Sequence, residues 1–431
     1  MPVLFYNLLA WCVLPFAVLY HWYRSLSRGR ATAFDERFGR LSPAARKTLA
    51  GHPVIWLHAV SVGEVIAARP LLRGLKRQYP QHRLLLSVTT ETGRGVAERD
   101  HLADLVIYFP FDVPFAVRRL LAATKPQLII VMETEIWPVF IFEASRRKIP
   151  LILANGRISD RSFPRYQRFA WFFRPVLRRF HCLGMQSTVD RERIIAIGAP
   201  SERTQLLGNL KYDIPCHQTS GEERRILRER YTIPAESLVI TFASTHPNEE
   251  LLLLGVMQKL AHYGDQLRFV LVPRHPERSS EVATLVVQHG FGCRLRTSLK
   301  DQDLPPLITG ELLVVDTVGE LDAIYRLSDL VFVGGSLVPT GGHNLLEPAA
   351  VGVPSLFGPH MENFRDVAAL VLQYGAGVQV ANQAELLDAL HDFLVSPDLR
   401  QVIGANGLKL LRDSGGATER YLAIAAAAHQ S

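Results

Sequence analysis

The 431-residue chain has only four cysteines, Cys12, Cys182, Cys216 and Cys293, widely spaced and without a CxxC pair. No disulfide framework or zinc cluster can be built from them, and a reducing compartment is the plain reading. GxxxxGK[ST] and a spaced GxGxxG are both missing, which removes the P-loop and dinucleotide fingerprints. There is no repeat at solenoid spacing and no low-complexity tract. The rest is average: 48% hydrophobic, 21% charged, 30 Gly and 26 Pro. That excludes disordered, collagen-like and disulfide-scaffold classes. At roughly 150 residues per domain, the length suggests two or three domains.

A balance of 48 Lys+Arg against 41 Asp+Glu gives a formal charge of +7. The excess is clustered. Arg24, Arg28, Arg30, Arg37, Arg40, Arg46 and Lys47 face only Asp35 and Glu36. Just before them, Pro2 to Tyr23 carries no formally charged side chain. About 20 apolar residues span a bilayer core, and Trp22-Tyr23-Arg24 reads as an aromatic belt followed by positive charge. A signal peptide would show early Lys or Arg and a shorter apolar core. Residues 1–23 are therefore read as a membrane anchor, with the bulk of the chain on the cytoplasmic side. Asn7, Pro15 and His21 weaken the segment, so a surface-lying helix is the competing reading.

Beyond it, short apolar runs alternate with helical stretches: Val54–Val60, Leu84–Thr90, Leu105–Pro110, Gln127–Glu133, Pro150–Gly156 and His181–Ser187. Leu207–Glu223 breaks the rhythm and reads as a linker. A second set follows at Ser237–Ser244, Leu267–Pro273, Leu312–Thr317, Leu330–Ser336 and Pro354–Pro359. This pattern argues an α/β chain with two doubly wound parallel sheets facing a cleft. The expected domains are 24–212 and 213–431, with the C-terminal helices free to pack back on the first. The stretch 280–311 shows no clear period.

In such sheets chemistry is sought just past the strands. Pro273, Arg274 and His275 follow one strand, and a guanidinium suits a phosphate. Val318, Gly319 and Glu320 open a helix. Gly334-Gly335, Gly341-Gly342 and Asn344 to Glu347 make a glycine-rich turn before another, an anion-binding arrangement. Together they resemble a nucleotide pocket, with phosphate on N–H groups and Arg274 and ribose on Glu347. Each piece alone is ordinary; their coincidence at one sheet edge carries the reading. In the first half, Glu64 closes Ser61-Val62-Gly63-Glu64, which is either a capping box or a general base. Glu133 ends a strand, with Glu135 and Trp137 close behind. Lys211 lies in the linker as either a solvated lysine or a cation brought to the cleft. Arg161 to Phe180 interleaves six arginines with seven aromatics and no acid, which suits an anionic membrane surface. No Asp-x-Asp pair sits at a strand end, so no metal or other cofactor is expected.

WLHAVSVGE, VMETEIWP, ILANGRIS, GNLKYDI, LVPRHPER, VGELDAIY and FVGGSLVPTGGHNLLEP, in this order, resemble the 3-deoxy-D-manno-octulosonic acid (Kdo) transferases of lipopolysaccharide biosynthesis. The resemblance covers nearly the whole chain. It implies the two-Rossmann glycosyltransferase B fold and inverting transfer of Kdo from CMP-Kdo to the lipid A precursor, lipid IVA, at the cytoplasmic face of the bacterial inner membrane. It implies Glu64 as general base and Glu133 and Lys211 as transition-state stabilisers. The CMP site would be Pro273-Arg274-His275, then Val318-Gly319-Glu320, then Asn344-Leu345-Leu346-Glu347. The implied partners are the donor, the lipid acceptor and an anionic membrane surface, with no nucleic acid. Two alternatives stand beside it. One is a glycosyltransferase of the same fold using a UDP-sugar, and the other is a non-enzymatic binder driven by the basic segments.

Overall fold

A computed structural model describes residues 2–27, 33–300 and 304–430. Arg28 and Arg30 of the basic segment lie outside them. The chain forms two compact units, Met1–Asp213 with Gly415–Ser431, and Ile214–Ser414.

The first unit is built on a seven-stranded sheet in the order β3-β2-β1-β4-β5-β6-β7. Its strands are β1 (Val54–His58), β2 (Arg83–Val88), β3 (Leu105–Tyr108), β4 (Pro126–Met132), β5 (Leu151–Gly156), β6 (Cys182–Met185) and β7 (Thr204–Leu206). Every pairing is parallel, as between Ile55 and Leu84 and between Ile55 and Leu128. All five residues of β1 are buried because helices cover both faces of the sheet. The order reverses between β1 and β4, and that switch point is where a doubly wound sheet opens a crevice.

Helix Val62–Gln78 starts on Ser61 and buries Val65, Ala68, Leu71, Leu72 and Leu75 on one stripe. The C-terminal helix Ala417–Gln430 joins the same core through Tyr421, Leu422, Ala425 and Ala428. Gly74 permits this approach, since a Cβ there would lie 2.6 Å from a Leu422 methyl.

The second unit repeats the plan in the order β10-β11-β9-β8-β12-β13-β14. Its strands are β8 (Leu238–Thr245), β9 (Leu267–Pro273), β10 (Gly292–Leu295), β11 (Glu311–Val314), β12 (Leu330–Val333), β13 (Ser355–Phe357) and β14 (Gly377–Gln379). Its switch point lies between β8 and β12.

Two readings change. Pro2–Ser27 is one 26-residue helix, yet among the described residues no helix is long and apolar enough to cross a membrane. Asn7, Pro15 and His21 dilute it, so the spanning anchor is withdrawn. One side of this helix rests on its own unit. Tyr6 meets Phe172, Trp11 meets Phe115, His21 meets Phe111, and the Tyr6 hydroxyl hydrogen-bonds Asp112. Leu8, Val13, Phe16, Leu19 and Tyr23 stand exposed on it. The linker also starts later than read. Leu207 and Leu210 are core residues of the first unit, and the division falls between Asp213 and Ile214.

Candidate active site

Glu64 sits just past β1 at the switch point, in the first turn of its helix. The Ser61 hydroxyl accepts from the Glu64 N–H at 3.4 Å and donates to Glu64 Oε1 at 3.0 Å, while the Val60 N–H donates to Oε2 at 2.8 Å. The carboxylate therefore does cap the helix. It is nevertheless unlike an ordinary cap, because it is buried and its pKa is pushed up to about 7. Burial is the main cause, and the Glu133 and Glu135 charges add to it against the hydrogen bonds from Val60 and Ser61.

Glu133 follows β4 directly with φ at +51°, the left-handed region that a non-glycine residue rarely enters. Its N–H donates to the Ala154 carbonyl at 2.7 Å, which pins the turn to β5. Lys211 Nζ lies 3.9 Å from Glu133 Oε1. Lys211 is thus a member of this unit, held against a catalytic candidate. Glu135 Oε2 accepts from the Trp137 indole at 3.0 Å, and burial raises its pKa. Three carboxylates and one ammonium thus gather at the carboxyl ends of β1 and β4.

The loop carrying Lys211 is fixed from beneath. Asn155, fully buried at the end of β5 with φ at +59°, accepts from the Leu210 N–H at 2.9 Å. Its own N–H donates to the Tyr421 hydroxyl at 2.7 Å, and its carbonyl accepts from Gln186 Nε2 at 2.8 Å. Gln186 in turn receives Asn209 Nδ2 at 3.1 Å, and Asn209 Oδ1 receives the Lys211 N–H at 3.0 Å. The C-terminal helix closes the arrangement, with Arg420 donating to the Leu207 carbonyl at 2.8 Å and Asp213 accepting from the Ala417 and Thr418 N–H groups.

In the second unit the three expected segments lie past β9, β11 and β12, around its own switch point. Pro273 is buried as the last residue of β9, while Arg274 and His275 are exposed. Val318 is exposed and Gly319 turns at φ +88°. Glu320 is bound by Arg296 at 3.0 Å and lies 3.7 Å from Arg230. Asn344 accepts from the Leu346 N–H at 3.1 Å and donates to Glu347 at 3.2 Å. Leu345 and Leu346 are core residues, so Asn344 and Glu347 are the polar groups this segment presents. The glycine loop is not a vacant row of N–H donors. Buried Glu249 accepts from Gly335 at 2.7 Å, Ser336 at 3.1 Å and Leu337 at 3.0 Å.

Residues 32–214 match the family model described as 3-deoxy-D-manno-octulosonic-acid transferase. The transferase of that name from Haemophilus influenzae is 35% identical over 372 residues, covering 85% of each chain. Its counterpart from Chlamydia muridarum is 30% identical, covering 85% of this chain and 84% of its own. The chain belongs to the Kdo transferase family. The enzyme is accordingly a glycosyltransferase. Among solved structures, a glycosyltransferase from Rickettsia africae has a TM-score of 0.54 at 13% identity, over 87% of this chain and 98% of its own. Anabaena HepE in complex with UDP has a TM-score of 0.53 at 15% identity, over 88% and 100%. These likenesses show the fold alone.

Glu64, Glu133, Glu135 and Lys211 stand out in the sequence, whereas Asn155, Tyr421, His246 and His343 carry no such mark. Asn155 lies inside ILANGRIS and His343 inside GGHNLLEP, so these segments hold a signal that residue chemistry alone does not single out.

Proposed function

We propose that the enzyme moves Kdo from CMP-Kdo to a hydroxyl of the lipid A precursor, lipid IVA, with inversion at the anomeric carbon. One observation carries the base assignment, namely a buried carboxylate at Glu64 whose pKa of about 7 matches neutral operating conditions. Glu64 takes the acceptor hydroxyl's proton as the oxygen attacks. The developing positive charge of an oxocarbenium-like centre is matched by Glu133, and Lys211 at 3.9 Å orients that carboxylate. CMP departs as an anion toward Arg274, with Glu347 suited to the ribose hydroxyls. Each step is assigned to this chain's own side chains, without a metal. The family to which the chain belongs supports Kdo as the sugar; donor nucleotide and acceptor are this reading's own.

The exposed apolar side of the first helix and the nearby stretch Arg161 to Phe180 support a place of work at a membrane surface. In that stretch all six arginines are exposed, as are Phe169 and Trp171. We place the enzyme on the cytoplasmic face of the bacterial inner membrane, lying on the surface.

The deciding experiment incubates detergent-solubilised enzyme with tetra-acylated lipid A precursor and freshly generated CMP-Kdo, and reads the lipid by mass spectrometry. One or more added Kdo masses, absent with Glu64→Ala, are expected. No mass gain from folded enzyme, or transfer from a UDP-sugar instead, overturns the reading.

A further inference from the structure

Three imidazoles meet at the switch point of the second unit. His246 follows β8, His275 follows Arg274 beyond β9, and His343 follows the paired glycines beyond β12. The His246 and His343 rings lie end to end and nearly coplanar, with centroids 5.1 Å apart, planes 13° apart and Nε2 atoms 2.8 Å from each other. His275 meets His246 edge-on at 6.1 Å. Gly335, at φ +66°, makes room for both rings, since a Cβ there would lie 3.1 Å from His246 and 3.2 Å from His343. Among the described residues no group of three or more His, Cys, Asp and Glu is placed to hold a metal ion.

The protons of this pair can be counted. At 2.8 Å one Nε2 carries a hydrogen and the other offers its lone pair. A single extra proton fits on the donor ring's Nδ1, which turns the contact into a charge-assisted hydrogen bond. A second extra proton would set two N–H groups against each other.

The surroundings press that extra proton out. Burial, Arg274, His246 and His275 lower His343 to about 4, and burial, His275, Arg274 and Arg278 lower His246. Nearby carboxylates are otherwise engaged. Glu249 receives the backbone N–H groups of His246 and the glycine loop, Glu250 and Glu281 bind Arg278 at 2.9 and 3.0 Å, and Glu347 accepts from Asn344. A half-buried pair flanked by Arg274, with the nearby carboxylates committed to other donors, expels its extra proton when empty and regains it when an anion offsets the field.

We propose that His246 and His343 form a proton-linked seat for the donor's phosphate, taking up one proton as a nucleoside monophosphate binds. The imidazolium so formed stands with Arg274 to hold the leaving group's charge. The inference rests on the reading of this unit as the CMP site and adds two residues and a proton to it.

The test is calorimetric titration of the full-length enzyme with CMP, and with cytidine as the phosphate-free probe, at pH 7 in two buffers of different ionisation enthalpy. Free CMP, with a second phosphate pKa near 6, is only ~10% protonated at pH 7 and can release no more than ~0.1 proton. More than ~0.3 proton taken up per CMP, and none with cytidine, is the expected result. His246→Asn and His343→Asn should each remove the uptake and weaken CMP roughly tenfold, the value of one charge-assisted hydrogen bond, while leaving cytidine unchanged. CMP binding without uptake, or uptake unchanged in both variants, overturns the seat but leaves the CMP site standing. No CMP binding at all overturns both. If the variants do not fold, wild-type affinity decides. It should fall as pH rises from 6.5 to 8.5, whereas a phosphate meeting fixed cations would hold or gain affinity, and that outcome would overturn the seat.

Discussion

Glu64 carries two duties that pull against each other. As a cap it binds the start of its helix through Val60 and Ser61, and as a buried carboxylate beside Glu133 it resists ionisation. Its folded pKa of about 7 lies above the ordinary value of 4.5. Between those values the unfolded chain holds fewer protons than the native one, so stability falls as pH rises through this window and the penalty is complete above 7. At ~1.4 kcal/mol per pKa unit the penalty reaches up to ~3 kcal/mol. Glu64→Gln keeps the side chain's shape and its acceptor oxygen but never ionises. It should abolish transfer and raise thermal stability relative to wild type at pH 8, with no such gain at pH 4.5. Melting curves at the two pH values read this directly. A variant equally stable to wild type at pH 8 would mean that Glu64 ionises there without strain. Wild-type kcat/KM should correspondingly decline below pH 7, as the base of the free enzyme becomes protonated.

Elements decide which residues meet, and here the C-terminal helix Ala417–Gln430 matters more than its position in the chain suggests. Asn155 and Tyr421 are 266 positions apart, yet one hydrogen bond joins them beneath the Lys211 loop. Gly184 reserves the space, because a Cβ there would stand 2.4 Å from the Tyr421 ring. Removing Gly415–Ser431 should therefore unfold the first unit and spare the second. Limited proteolysis checks this, with Ile214–Ser414 remaining resistant while the N-terminal half is degraded; resistance of both halves would refute the dependence. Tyr421→Phe leaves the buried Asn155 N–H unpaired, a loss of about 1–3 kcal/mol. It should lower kcat more than it raises KM, because Lys211 loses its support. Such couplings were illegible in the sequence. The central strands announced themselves as runs buried on both faces, like VIWLH and LIIVM. The short edge strands β7, β10 and β14, reading TQL, GCRL and GVQ, have too few apolar residues to show a period. The site divided the same way. Glu64, Glu133 and Arg274 follow strands that could be read, whereas the His246–His343 contact spans 97 positions and depends on which strands become neighbours.

At the scale of the molecule, a formal charge of +7 would steer weakly if it were spread evenly. Instead, exposed Arg161, Arg165, Arg168, Arg174, Arg178 and Arg179 share one short stretch with exposed Phe169 and Trp171. The Tyr6–Phe172 contact at 5.9 Å joins that stretch to the first helix, whose Leu8, Phe16 and Leu19 are also exposed. Apolar side chains rimmed by arginine suit a bilayer interface, where each basic residue near an anionic surface adds about 1 kcal/mol. Flotation with vesicles should accordingly recover the enzyme with anionic phospholipid at low salt and release much of it at high salt. Arg165→Gln with Arg168→Gln should lower the partition coefficient roughly 30-fold, the equivalent of two such contributions. Phe169→Ser with Trp171→Ser should weaken binding to anionic and zwitterionic vesicles alike, because it removes buried apolar area and leaves the charge untouched. Equal recovery of the arginine pair variant and wild type on anionic vesicles would remove this stretch from the membrane contact. Adhesion would then rest on the exposed side of the first helix alone, and salt would have little effect on it.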